Sequence, residues 1–214
     1  AVFLEGRRSA VRTEETNLGN LTADAFPDAE LLQTEGALGR LRVTDQNGDF
    51  DGDGDLDQIF AYGARSFSIW ELGSRRLHQV YDSGADLENI TASLVPAEFN
   101  STNDENGSFD SRSDDKGPEP EGIAIGEIDG RSYAFIGLER IGGIMVYDIT
   151  DPTSPFYVQY LVTRDFFGDA EEGTAGDLGP EGIEFIPAAE SPNGRPLLLV
   201  ANEVSGSLTV IEIE

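Results

Sequence analysis

Between Asp45 and Asp57 the chain reads Asp-Gln-Asn-Gly-Asp-Phe-Asp-Gly-Asp-Gly-Asp-Leu-Asp, six aspartates in thirteen residues, five of them spaced two apart. Such a segment cannot build an apolar core, and carboxylates this close repel one another unless something neutralises them. A hard divalent cation does so. Ca²⁺ accepts about six to eight oxygens, and a glycine-punctuated loop with a donor at every second position wraps around it. Asp49, Asp51, Asp53, Gly54 and Asp57 fit a D-x-D-x-D-G-x-x-D frame, with Asp55 giving its main-chain carbonyl. Asp45 and Asn47 stand where a second ion would find oxygens. A helical EF-hand also wants a Glu at its twelfth position. Counted from Asp49 that residue is Phe60, and Gln58-Ile-Phe-Ala-Tyr-Gly63 reads as a strand. The expectation is a calcium loop that leads into β structure.

The charge balance agrees with that reading. With 41 acidic residues against 14 lysines and arginines, the formal net charge is −27. This excludes nucleic-acid binding through a basic surface and argues against docking on anionic lipid. It suits a cation-rich medium, where screening is strong. Free calcium in the cytosol is too low to fill a weak surface loop, so the expected location is extracellular or cell-surface, with the periplasm as the bacterial equivalent. There is no cysteine, so calcium rather than disulfides would staple the fold. No run of about 18 apolar residues is present, and no membrane span is expected.

Residues 1–26 read differently from the rest. Arg7, Arg8 and Arg12 make the start basic, and Leu18, Leu21 and Ala25 show helical spacing from Asn17 to Phe26, ended by Pro27-Asp28. From about residue 38 the pattern is β. Three segments, 59–72, 133–149 and 197–213, each read as an apolar strand, a short turn and an alternating strand, the signature of a hairpin. Two are preceded by the same tetrapeptide, Pro120-Glu-Gly-Ile123 and Pro180-Glu-Gly-Ile183, which places Glu121 and Glu181 sixty residues apart in an internal repeat. Repeated hairpins with an opening strand are the units of propeller blades. The predicted class is all-β: propeller blades spanning residues 27–214, with a short strand and helix segment before them. Propellers need about four to eight blades, so the ring is expected to be incomplete, its partners being the remaining blades of a parent protein or another chain. Long polar loops at 99–118 and 165–179 are expected to be functional or disordered.

The region Leu38–Ile213 resembles the choice-of-anchor I domain, a propeller module of secreted and surface bacterial proteins. The resemblance rests on Leu38-Gly-Arg-Leu41, Asp51-Gly-Asp-Gly-Asp55, Tyr62-Gly-Ala-Arg-Ser-Phe-Ser-Ile69, Ser111-Arg-Ser-Asp-Asp-Lys-Gly-Pro-Glu-Pro-Glu-Gly122, Gly137-Leu-Glu-Arg140, Gly143-Ile-Met-Val-Tyr147 and Val200-Ala-Asn-Glu-Val-Ser-Gly206. Members of that family are often labelled alkaline phosphatase-like. The hairpin plan is also similar to β-propeller phytases, which hold calcium on acidic residues and phosphate on Lys and Arg. Arg12 to Ala25 resembles the opening of the C-terminal domain of 5′-nucleotidases. Only that opening is present, so no nucleotidase site carries over.

Two functions follow as expectations. One is a calcium-stabilised extracellular module for surface structure, adhesion or assembly. The other is a calcium-dependent phosphomonoesterase. The second would bring Glu121, Glu139, Glu181 and Glu203 together as a second metal or phosphate site, with Lys116 and Arg140 as oxyanion ligands. No catalytic residue is assigned. His78, the one histidine, reads as an exposed strand residue, and Trp70 as core.

Overall fold

The computed structural model describes residues 15–63 and 65–214; the basic arginines Arg7, Arg8 and Arg12, with the first three residues of the nucleotidase-like stretch, lie outside the described residues. The chain is mainly β, in small antiparallel sheets, and the described residues close neither a barrel nor a ring. They form two compact units, residues 15–63 with Ser113–Lys116, and residues 65–112 with Gly117–Glu214.

In the first unit β1 (Glu15–Asn17) pairs antiparallel with β2 (Arg42–Thr44), Thr16 opposite Val43. Leu18, Leu21 and Val43 are buried, and Phe26, Leu32, Leu38, Leu41 and Leu56 pack on them. The helix expected from Asn17 to Phe26 is absent. The backbone there makes long-range bonds instead: Leu18 N–H donates to the Leu41 carbonyl at 2.9 Å and Leu56 N–H to Asn20 at 2.8 Å. The three-residue spacing of Leu18 and Leu21 is satisfied by an extended turn over the same core. A short helix, α1 (Ala29–Leu32), starts only after Pro27.

The second unit is a stack of sheets. Its middle layer is a four-stranded meander of β5 (Pro120–Ile128), β6 (Arg131–Leu138), β7 (Ile144–Asp148) and β8 (Phe156–Leu161). Strand alternation sends Ala134, Ile136, Met145 and Tyr147 to one face, against Phe67 and Leu87. Phe135, Ile144 and Val146 point to the other, against Leu198 and Val200. Both faces are covered, which explains why β6 and β7 read as continuous apolar runs. Each large side chain so buried contributes about 1.5–3 kcal/mol.

The first face is covered by a hairpin of β3 (Ser68–Leu72) and β4 (Leu77–Asp82) and by α2 (Asp86–Leu94). The second is covered by a three-stranded sheet, β9 (Pro180–Ile186), β10 (Leu197–Asn202) and β11 (Ser207–Glu212), in the order β11-β10-β9. Close approach of these two sheets needs glycine. A Cβ on Gly126 would lie 2.6 Å from the Phe185 ring, and one on Gly122 2.4 Å from the Glu181 carbonyl oxygen.

The hairpins expected at 133–149 and 197–213 are present as β6–β7 and β10–β11. The hairpin expected at 59–72 is displaced to 68–82. Residues 59–61 are taken by the first unit, where Val43 bridges Ala61 and Thr44 N–H donates to the Phe60 carbonyl at 3.0 Å. Strand β3 then pairs forward across Gly73–Arg76. His78 lies exposed on β4 as expected, but Trp70 is not core; it is 46 % exposed on the outer face of the hairpin.

Candidate functional site

Two acidic centres stand out, one in each unit. The first is the aspartate loop, clasped at both ends. Beta strand β2 leads into it, and Leu56 closes it through the Asn20 bond and a second from Thr22 N–H to the Leu56 carbonyl at 3.1 Å. Inside the loop the carboxylates collect backbone amides. Asp49 accepts from Gly52 N–H at 2.7 Å and Gly54 N–H at 3.0 Å, and Asp57 accepts from Phe50 N–H at 2.9 Å. Asp51 and Asp53 accept from the amides of Asp53 and Asp55 at 3.3 and 3.1 Å. Gly48, with φ +116°, carries the sharpest turn, where a Cβ would sit 2.4 Å from the Gln58 carbonyl oxygen.

This winding brings carboxylate oxygens of Asp49, Asp51 and Asp57 within 4.8 Å of one another. Like charge shows in the acidities. The neighbouring Asp53, with burial, Asp57 and Asp49 adding, pushes the Asp51 carboxyl up. Burial pushes Asp55 up, reinforced by Asp53 and Asp57. The Oδ1 of Asp55 is shut off from water and has no hydrogen-bond partner. A shielded, unpartnered carboxylate oxygen beside other carboxylates is what a hard cation satisfies. The donor set is all oxygen, so these residues fit Ca²⁺. Asp45 and Asn47 are exposed, and Asp45 accepts from the Gln46 side chain at 2.5 Å.

The second centre sits where β5 and β6 meet. Carboxylate oxygens of Glu119, Glu121 and Glu139 lie within 4.8 Å of one another. Glu119 and Glu139 are buried, 6 % and 4 % exposed. The neighbouring Arg140 binds Glu119 through Nε, approaches Glu139 at 3.6 Å and donates to Asn103 Oδ1 at 3.1 Å. Asn103 in turn donates to Glu139 at 2.8 Å. Removal from water, then the charge of Glu119, pushes the Glu139 carboxyl up to about 7. The pairing of β5 with β6 shifts register between Pro120 and Ile123, a bulge that spans the Glu-Gly of the tetrapeptide. The second copy of the tetrapeptide also meets a register shift, opposite Ala201–Asn202.

Within the loop 99–118, the stretch from Thr102 to Asn106 is held by Arg164, 5 % exposed. Its guanidinium donates to Asn106 Oδ1 at 2.9 and 2.7 Å and to the carbonyls of Thr102 and Glu105 at 2.9 Å, Arg140 at 3.1 Å and Ile141 at 3.3 Å.

Of the residues expected at a second site, Glu121, Glu139 and Arg140 are brought together. Glu181 is half-buried at the start of β9, Glu203 is exposed, and neither belongs to the group. Lys116 belongs to the first unit, where it lies beside Gly63. Glu119 is the residue that sequence reasoning missed. It stands two positions before Glu121, with φ +51°, a strained conformation for a side-chain-bearing residue.

A family model described as the choice-of-anchor I domain matches residues 5–152. Gigasin-3a of Magallana gigas is 33 % identical over 192 residues, covering 85 % of this chain and 66 % of that protein. A mesenchyme-specific cell surface glycoprotein of Strongylocentrotus purpuratus is 26 % identical over 118 residues, 48 % of this chain and 14 % of that protein. The chain thus spans less than two thirds of the length of either relative. No solved structure matches it.

Proposed function

The chain belongs to the choice-of-anchor I family, and on that premise we propose that it is an extracellular, calcium-stabilised module of propeller-type blades that serves surface structure, adhesion or assembly. The carrying observation is the aspartate loop: three converging carboxylates, with the unpartnered Asp55 oxygen in the same loop. Asp49, Asp51, Asp53, Asp55 and Asp57 would hold the ion, with Asp45 and Asn47 as outlying donors for a second. The ion supplies positive charge that lets a loop of like charges stay folded; it has no chemical step to perform there.

The location is supported by the name of one relative, a cell surface glycoprotein, and by the acidity of the chain. Among the described residues no helix is long and apolar enough to cross a membrane. The blade reading is supported by the stacking of a hairpin, a four-stranded meander and a three-stranded sheet, face on face. Phosphomonoesterase activity ranks second. Its oxyanion ligand Arg140 is engaged by Glu119, Glu139 and Asn103, and an incoming phosphate would have to displace a buried carboxylate.

Calorimetric titration with Ca²⁺, paired with melting curves with and without EGTA, tests the reading. Binding heat and a calcium-dependent rise in melting temperature are expected, both lost in Asp51→Ala. Absence of binding heat together with identical melting curves would overturn it.

A further inference from the structure

The sequence holds three Asn-Gly pairs, Asn47-Gly48, Asn106-Gly107 and Asn193-Gly194. In such a pair the glycine amide nitrogen, unhindered by a side chain of its own, can attack the preceding side-chain amide carbon and expel ammonia. The structure treats the three pairs differently. Asn106 donates through Nδ2 to the carbonyls of Asp165 and Gly168 at 2.9 and 2.7 Å, and its Oδ1 accepts from Arg164. Asn193 donates to Glu212 at 2.7 Å, and its Oδ1 accepts from the Ser191 hydroxyl at 2.5 Å and from Arg195 N–H at 3.1 Å. Neither side chain can turn toward its glycine without breaking these bonds. Asn47 is exposed, and among the described residues neither its side chain nor Gly48 N–H makes a hydrogen bond.

The same loop protects its other glycine amides. Gly52 N–H and Gly54 N–H, the nucleophiles that would attack Asp51 and Asp53, both donate to the Asp49 carboxylate, at 2.7 and 3.0 Å. Nor can Gly48 be exchanged for a bulkier, slower neighbour. Its φ is +116°, and a Cβ there would lie 2.4 Å from the Gln58 carbonyl oxygen. The turn therefore demands the one residue that leaves Asn47 most reactive.

We propose that Asn47 is a self-modifying site, which converts without an enzyme to an aspartate or an isoaspartate and thereby retunes the aspartate loop. The Gly48 nitrogen bonds to Cγ of Asn47, the Cγ–Nδ2 bond breaks, and ammonia departs with the proton that Gly48 N–H gives up. Water then opens the resulting imide at one carbonyl or the other. Either product adds a negative charge beside the loop. The aspartate product keeps the main chain as it was and offers a carboxylate where the amide stood. The isoaspartate product adds a carbon to the main chain next to Gly48, whose carbonyl accepts from Asp57 N–H at 2.7 Å and Gln58 N–H at 3.1 Å. Those two bonds close the loop, so this product should hold a cation less tightly. That effect rests on the calcium reading above; the conversion itself does not.

The test is peptide mass spectrometry on the 214-residue chain, aged in mildly alkaline buffer both folded and in urea, with Asn47→Gln beside it. In urea the three pairs should convert at similar rates. In the folded chain Asn47 should convert at least about tenfold faster than Asn106 or Asn193, because each of those must first break two or more hydrogen bonds. Asn47→Gln, whose longer side chain closes the ring poorly, should release no ammonia at this position. Equal rates at the three pairs in the folded chain overturn the proposal. So does a folded Asn47 that stays intact while the urea sample converts. Calcium titration of the separated products tests the consequence: weaker binding by the isoaspartate form than by the fresh chain is expected, and equal affinities overturn the retuning. Conversion at Asn47 with no calcium heat from the fresh chain would fail the calcium reading alone.

Discussion

The two acidic centres solve one electrostatic problem in different ways. The aspartate loop is exposed, and the carboxylates of Asp49, Asp51, Asp53 and Asp57 accept from backbone amides of the loop itself. The glutamate centre is buried and carries its own compensation, an arginine, an amide side chain and a carboxyl that holds its proton to about pH 7. The difference lies in what completes each. A solvent-facing loop can wait for an ion, because water screens its charges meanwhile. A buried cluster must be balanced when the sheet forms, because an unpaired charge there costs several kcal/mol.

The sharpest way to break this contrast is Arg140→Met. It leaves Glu119 and Glu139 buried without their cation and should cost about 3–5 kcal/mol of stability, read by urea melts. A loss below about 1 kcal/mol would show that the glutamate centre is not held by Arg140. Next comes calcium removal. At a free concentration one hundred times the dissociation constant, binding should stabilise by about 2.7 kcal/mol. EGTA should erase that gain in the parent and change nothing in Asp51→Ala.

A smaller effect separates proton from metal. The Glu139 carboxyl is raised in the fold from an ordinary value of 4.5 to about 7. The folded state therefore binds more protons than the unfolded one across that window, and this contribution falls as pH rises from 4.5 to about 7. Glu139→Gln keeps an acceptor for Asn103 and should flatten this part of the stability profile. A profile unchanged between parent and variant would move the titration to another group. Smallest of all should be Glu203→Gln, at the repeat position equivalent to Glu139 but exposed, with a change within about 0.5 kcal/mol. A larger loss would mean that the two repeats handle charge more alike than their burial indicates.

What could be read in advance follows from the range of the interactions. The aspartate loop is local, with all six carboxylates within thirteen residues, so spacing alone marks it as a candidate. The hairpins β6–β7 and β10–β11 are local too. The glutamate centre was half legible. Glu121 and Glu139 stood out through the repeat, but Glu119 joins them only because the turn after β6 presents Arg140 to it, a contact across 21 residues with no sequence period. Leu18 and Leu21 misled for a similar reason. Their spacing fits a helix, yet partners more than twenty residues away, Leu41 and Val43 among them, draw the backbone into extended turns. Trp70 misled because aromatic content on a strand says nothing about which of its two faces is covered.

Arg164 has a consequence in time rather than in energy. Its six hydrogen bonds reach back to Thr102, Glu105 and Asn106, about sixty residues upstream, and to Arg140 and Ile141. Closing a loop of that length is entropically slow. The polar layer that holds Thr102, Glu105 and Asn106 should therefore assemble after the meander has formed, and separate before it does. Bonds made late in folding are felt mainly on the unfolding limb. Arg164→Met should accelerate unfolding while leaving the refolding rate nearly untouched, so that the segment from Asn100 to Arg112 sets how long the unit survives rather than how quickly it forms.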